Sequence, residues 1–313
     1  MPPSRTVFNA SNVPVAGSPT RPEPPQRPMN DPVEPGAPRP FAAGFAWLTT
    51  AAGLLRDHAA RLLLIGLLFQ LLGGAMQIGI LGLFFVVAVP ALTAGMLQAV
   101  HLAAAGERPS ALTLFAAFQG SGRLLRLFVV GALTVLATLM VVFFFVAGSL
   151  SNLDPALAER IQAGDQSAVL ELDPNIVRNV LLATVTGLLL GLVLSFFAVP
   201  LIWFQDRALG DALITGIRAL FREVKALTAL GIGLAAIGLP VGMLALAITT
   251  AQLTSGSPNV LLTVVLMIAV VVYQVLAFTA QYVAFRDVFA GNGDRAVSDG
   301  SDDDPGGDDQ LVA

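Results

Sequence analysis

Residues 124–148 read LLRLFVVGALTVLATLMVVFFFVAG, and Arg126 is the one charge in the run. As an α-helix this segment is about 38 Å long, against roughly 30 Å of hydrocarbon in a bilayer. A water-facing helix of that length needs a polar side, and this one offers only Thr134 and Thr138. Lipid is therefore the expected surrounding. Five more stretches share the character, near 61–79, 81–104, 176–203, 226–250 and 260–285. An unbroken helix over the first two would overshoot the bilayer, so a tight turn is expected around Gly79 and Gly82. The expected fold is an all-α polytopic transmembrane helical bundle of six spans, covering residues 41–290.

Composition agrees. Of 313 residues 55% are apolar and 12% charged, where a soluble domain carries roughly 25% charged. The mean hydropathy is +0.77. Cysteine is absent, which excludes disulfides, thiolate metal sites and a cysteine nucleophile. Residues 1–40 hold 12 of the 20 prolines, and residues 291–313 carry seven aspartates against Arg295. Both segments lack apolar surface to bury and are expected to be disordered tails.

Charge sets the expected orientation. With both ends cytoplasmic, the inner segments hold 15 of the 17 Lys and Arg residues, and the outer segments only Arg160 and Arg178. Such asymmetry is the mark of a multi-pass membrane protein with its positive loops inside.

Two inner segments are amphipathic. Residues 41–58 place Phe41, Phe45 and Leu48 on one face, with Trp47 expected at headgroup level and Arg56 beside it. In 206–225, Leu209, Leu213, Ile217, Leu220 and Val224 draw one apolar stripe. Asp211, Arg218, Arg222 and Lys225 supply its charged side. Interfacial helices follow, with Trp47, Arg56, Arg218, Arg222 and Lys225 as candidate lipid-headgroup contacts. For 206–225 a packed connection against the bundle itself is the alternative. The inner loop 107–121 has Pro109 placed to start a helix.

No acid or base stands mid-span, which counts against ion-coupled transport. The spans carry amides instead. Gln70 and Gln77 share a face of the first span with Gly66 and Gly73. Gln98 lies with Ala94 and His101 in the second, and Thr263, Gln274 and Gln281 share a face of the sixth. Amides are costly in lipid, so these faces should turn inward, either as inter-helix hydrogen bonds or as the wall of a polar cavity. Gly187 with Gly191, and Gly238 with Gly242, have the spacing of close helix crossings and should pack the bundle's own helices. Pro90, Pro200 and Pro240 free carbonyls that neighbours can re-satisfy. In the acidic outer loop, Asp154-Pro155 and Asp173-Pro174 read as helix starts.

Catalytic signatures are missing: there is no phosphate loop, no His-Glu-x-x-His, and only His58 and His101 as histidines. No catalytic, metal or cofactor-binding residues are assigned, no cofactor is implied, and no nucleic-acid footprint exists.

Ala88 to Met96, the loop Gly106-Glu107-Arg108-Pro109, the segment around Phe204-Gln205-Asp206-Arg207 and Asp211-Ala212-Leu213, and the run Gln281 to Phe289 carry a family resemblance. The chain resembles an uncharacterised family of bacterial multi-pass inner-membrane proteins, and is distantly similar to the membrane domain of some glycerophosphoryl diester phosphodiesterases. The resemblance implies a six-helix bundle and no established activity. The expected role is non-enzymatic, a membrane-organising or complex-supporting protein with membrane lipids and a membrane-protein partner. The alternative is a transporter or flippase for a small uncharged or lipid-like solute.

Overall fold

In the computed structural model, which describes residues 38–74, 79–119, 122–150, 154–163, 168, 171–255 and 259–298, the secondary structure is helical with no strand among the described residues. The run quoted above lies in α4, Arg123–Leu150. Before it come α1 (Ala42–Asp57), α2 (Ala59–Gly74), α3 (Gly79–Ala104) and a 3₁₀ segment, Ala111–Phe118. After it come α5 (Pro155–Gln162), α6 (Pro174–Ser195), α7 (Ala198–Gln205), α8 (Leu209–Arg222), α9 (Val224–Ser255) and α10 (Val260–Ser298).

Among the described residues five stretches are long and apolar enough to cross a membrane: Gly82–Ala104, Arg123–Gly148, Pro174–Gln205, Val224–Gln252 and Val260–Phe289. They are compatible with an integral membrane protein. The first of the six expected spans is not among them. Its helix, α2, has 16 residues and extends about 24 Å, short of the hydrocarbon thickness. It stops at Gly73-Gly74, where two residues of poor helix propensity adjoin; residues 75–78 and the side chain of Gln77 lie outside the described residues.

Local chemistry explains the ends. Asp154 and Asp173 accept hydrogen bonds from the N–H groups of Ala156 and Asn175, at 3.0 and 2.8 Å, and a proline follows each cap, as expected. Helix α3 ends at Gly106, whose φ of +77° lets its N–H reach Ala103 O while that of Glu107 reaches Leu102 O. The 3₁₀ segment starts at Ser110 rather than at Pro109, with Thr113 Oγ1 accepting from the Ser110 N–H. Helix α10 runs on to Ser298, past the tail boundary expected at 290, because no proline interrupts it before Pro305.

Burial is concentrated at one end of the long helices. In α4 Leu127, Val130 and Gly131 are buried near its start and Val146 toward its end, while Leu136, Met140, Phe143 and Phe144 between them are exposed. Helix α9 is buried at Ala226, Ala229 and Leu230 and exposed at Leu239, Met243 and Leu246. Helix α10 reverses this, largely exposed over 260–268 and with its buried residues between Val271 and Phe289, where Val272 and Arg286 still face outward. The packed end collects α1, the 3₁₀ segment, α7 and α8 around the last turns of α3. The opposite ends, α4 against α6 and α9 against α10, present apolar side chains outward.

Glycine sets the close crossings. Gly187 and Gly191 of α6 lie over Thr138 and Thr134 of α4, and Gly238 of α9 lies over Tyr273 of α10. These three pack the chain's own helices, as expected; Gly242 faces open space.

The turn after α7 is clamped. Asp206 adopts a left-handed φ of 52° and caps the helix. Its Oδ1 accepts from Arg123 Nε at 3.2 Å and from Arg126 Nη2, while Arg126 Nη1 donates to the carbonyls of Asp206 and Arg207. The Arg126 hydrogen bond, with lesser help from Arg123, holds the Asp206 carboxyl below its ordinary value against the effect of desolvation. The positive residue inside the quoted run is thus spent on a helix C-terminus.

Candidate functional site

Between α3, α4, α6 and α10, with Phe69 of α2 on one side, lies a cavity of about 680 Å³. That size falls in the roughly 300–1,000 Å³ range of small-molecule sites. Val86, Val89, Pro90, Ala183, Leu188 and Phe278 supply its apolar wall. Its polar lining is Thr93, Thr134, Thr138, Thr184, Ser195, Gln274 and Gln281, with no charged side chain among the described residues. Ala183 is 2% exposed and Leu188 is 71% exposed, so the cavity runs from the bundle interior to the outward face of α6.

Most of this polarity is already spent. The hydroxyls of Thr134, Thr184 and Ser195 donate to the carbonyls of Val130, Val180 and Gly191 one turn back. Gln281 has a specific task. Pro200 has no N–H, so the carbonyl of Phe196, four residues earlier, loses its helical partner. Gln281 Nε2 donates to that carbonyl at 2.7 Å, across 85 residues of sequence. Gln274, two turns earlier on the same face of α10, is different: its Oε1 is buried and has no hydrogen-bond partner among the described residues. A buried acceptor without a donor is costly, roughly 1–3 kcal/mol, and marks the point where a ligand group would be held.

The other candidates separate. Gln98 accepts from Trp203 Nε1 at 2.9 Å, joining α3 to α7. Thr263 accepts from Gln252 Nε2 at 3.1 Å, joining α10 to α9. Both act as inter-helix bonds, outside the cavity. Gln70 is half-buried and does not line the cavity either. Of the five described residues among the six expected inside the bundle, Gln274 and Gln281 line the cavity, and Gln77 lies outside the described residues.

Among the expected headgroup contacts, Trp47 is displaced. It is 3% exposed and donates from Nε1 to Asp287 Oδ2 at 3.0 Å. Helix α1 turns Gly44, Trp47, Ala51 and Leu55 against α9 and α10, leaving Phe41 and Phe45 outside. The indole N–H found a carboxylate, so headgroup water was not needed. Arg56, Arg218 and Lys225 are exposed and Arg222 is half-buried. Helix α8 buries Ala212, Gly216 and Ala219 against the bundle, so it is a packed connection. Its outward row is Ile214, Arg218 and Phe221, at helical spacing of four and three, and the exposed Lys225 follows at the start of α9.

One cluster escaped the sequence reading. Arg39, in the proline-rich stretch expected to be tail, is 9% exposed. Its Nη1 donates to Glu223 Oε1 at 3.2 Å, its backbone N–H to Glu223 Oε2 at 2.9 Å, and its Nε to Asp287 Oδ2 at 2.5 Å. Glu223 is fully buried. Nothing local signals this, since the partners lie 184 and 248 residues away.

Among the described residues no group of three or more His, Cys, Asp or Glu could hold a metal ion. Comparison of the chain with protein-family models, curated proteins and solved structures finds no match.

Proposed function

We propose that the chain is a multi-pass bacterial inner-membrane protein that takes an uncharged, lipid-like amphiphile from the bilayer into the α3–α4–α6–α10 cavity. The observation that carries this reading is the partnerless Gln274 Oε1 among apolar walls. An acceptor in that setting selects a molecule with a hydroxyl or amide N–H on an otherwise apolar body. The absence of charged lining residues argues against an ionic ligand, whose desolvation would go uncompensated. The exposed Leu188 and Leu192 at the mouth favour entry from lipid.

The test is lipid mass spectrometry on the protein purified in mild detergent, with Gln274→Leu beside it. The variant should retain the bound amphiphile about tenfold less, the worth of one hydrogen bond. Its own thermal stability should hold or rise by about 1 kcal/mol, because an unsatisfied buried acceptor is removed. A less stable Gln274→Leu protein, with no amphiphile on the wild type, would reduce the glutamine to packing. A membrane-organising role is the second reading, favoured by the outward row Ile214, Arg218 and Phe221 on α8.

The proposed orientation puts the packed end and both termini in the cytoplasm. Arg56, Arg123, Arg126, Arg218 and Lys225 belong to elements of that end, whereas Arg160 and Arg178 belong to the opposite one. A reporter active only in the periplasm should be active when fused after Gln162 and silent after Ser298. The opposite pattern reverses the orientation.

A further inference from the structure

At the packed end a second cavity, about 290 Å³, opens between the last turns of α3, the end of α7 and residues 282–286 of α10. It shares no lining residue with the first. Phe204 and Phe285 stack at 5.7 Å with an interplanar angle of 25° and, with Ala104 and Ala105, make an apolar wall. At its rim stand three polar groups from two helices. His101 Nδ1 lies 2.8 Å from the Tyr282 hydroxyl, and the Arg286 guanidinium sits 6.0 Å from the Tyr282 ring centre. His101 and Arg286 are both exposed.

We infer that this cavity binds an anionic phospholipid, with its phosphate on Arg286 and His101 and the start of its acyl chain against Phe204 and Phe285. Three features point to that occupant. Among the described residues no carboxylate pairs with Arg286, so its charge is available to an anion; its neighbour Asp287 is engaged by Arg39 and Trp47. Arg286 lies one turn from the end of the apolar stretch Val260–Phe289, the depth of a headgroup phosphate. When the Tyr282 hydroxyl donates to Nδ1, the neutral imidazole carries its proton on Nε2 and offers it as a second donor. The apolar wall separates this site from one for free phosphate, which would gain nothing from Phe204 and Phe285.

The experiment is native mass spectrometry of the full chain in mild detergent, titrated with phosphatidylglycerol, with phosphatidylcholine, and with inorganic phosphate as competitor. Wild-type protein should prefer phosphatidylglycerol. Arg286→Gln should cut that preference about tenfold, the worth of a charge-assisted contact. Arg286→Lys should recover part of it, and Arg178→Gln, an equal loss of charge at the opposite end, should leave it intact. Melting temperatures show that each variant is folded. An unchanged preference in Arg286→Gln, or an equal fall in Arg178→Gln, would overturn the site. Displacement of lipid by millimolar phosphate would overturn the lipid assignment.

Discussion

Replacing Arg39 by alanine should destabilise the protein by about 3–5 kcal/mol, the cost of breaking a buried ion pair from one side. Glu223 has no exposed side-chain surface, and Arg39 supplies the guanidinium that compensates it. Truncation leaves a carboxylate in the interior with a single backbone N–H as its donor from this residue. Asp287 loses the same guanidinium and keeps the Trp47 indole. The loss also has reach, because Arg39 ties the segment before α1 to the α8–α9 joint and to the last turns of α10. Unfolding followed in detergent, by temperature or by denaturant, measures it. Adding Glu223→Gln to the Arg39→Ala variant should restore a substantial part, since the orphaned charge disappears while an amide oxygen still accepts the backbone N–H. Arg39→Lys should fall between, because a point charge cannot serve two carboxylates in the planar geometry of the fork. A loss below about 1 kcal/mol is what an exposed pair gives. That result would mean water reaches Glu223.

What the sequence made legible was local. The long apolar runs became α3, α4, α6, α9 and α10 because a bilayer-length helix needs only its own residues to declare itself. The Asp154 and Asp173 caps were legible for the same reason: donor, acceptor and proline lie within three positions. The first expected span is not among the long apolar helices of the described residues, because hydropathy is blind to where a helix stops and α2 ends at Gly73-Gly74. On α8 the apolar stripe pointed to the large residues as the buried face. Leu209, Leu213 and Leu220 do pack half-buried against the core, but the closest contact is made by Ala212, Gly216 and Ala219, since closely packed helices select small side chains.

The candidate site was half legible. Periodicity placed Gln274 and Gln281 on one face with Thr263; the two glutamines line the cavity, whereas Thr263 is exposed. Periodicity could not tell the glutamines apart, because the difference lies in the neighbour. Gln281 meets the carbonyl freed by Pro200, and Gln274 meets none. Both the proline and the amide were visible in the sequence; their pairing needed the fold. Arg39 was further out of reach, a cation in a proline-rich stretch whose partners only the packed end brings together.

Gly95→Ala should cost about 3 kcal/mol, the upper end of overpacking penalties. A methyl group built on Gly95 would lie 1.9 Å from the carbonyl oxygen of Leu114, 2.5 Å from its carbon and 2.9 Å from its Cα. All three atoms are backbone, so no rotamer change can make room. Either the 3₁₀ segment lifts off α3, or α3 bends, and Leu114 and Ala117 lose their burial in the first case. Gly44 makes the same kind of contact, 2.0 Å from the carbonyl oxygen of Ala226, so Gly44→Ala should behave alike where α1 crosses α9. Gly53 supplies the internal control. It is also helical, but a methyl group there meets nothing within 4 Å. Gly53→Ala should therefore stabilise by about 0.5–1 kcal/mol through helix propensity alone. The three substitutions share one backbone effect and differ only in what the added carbon strikes, so opposite signs isolate packing. Thermal unfolding of the three purified variants decides it. A Gly95→Ala protein as stable as Gly53→Ala would show that the 3₁₀ segment does not rest on α3.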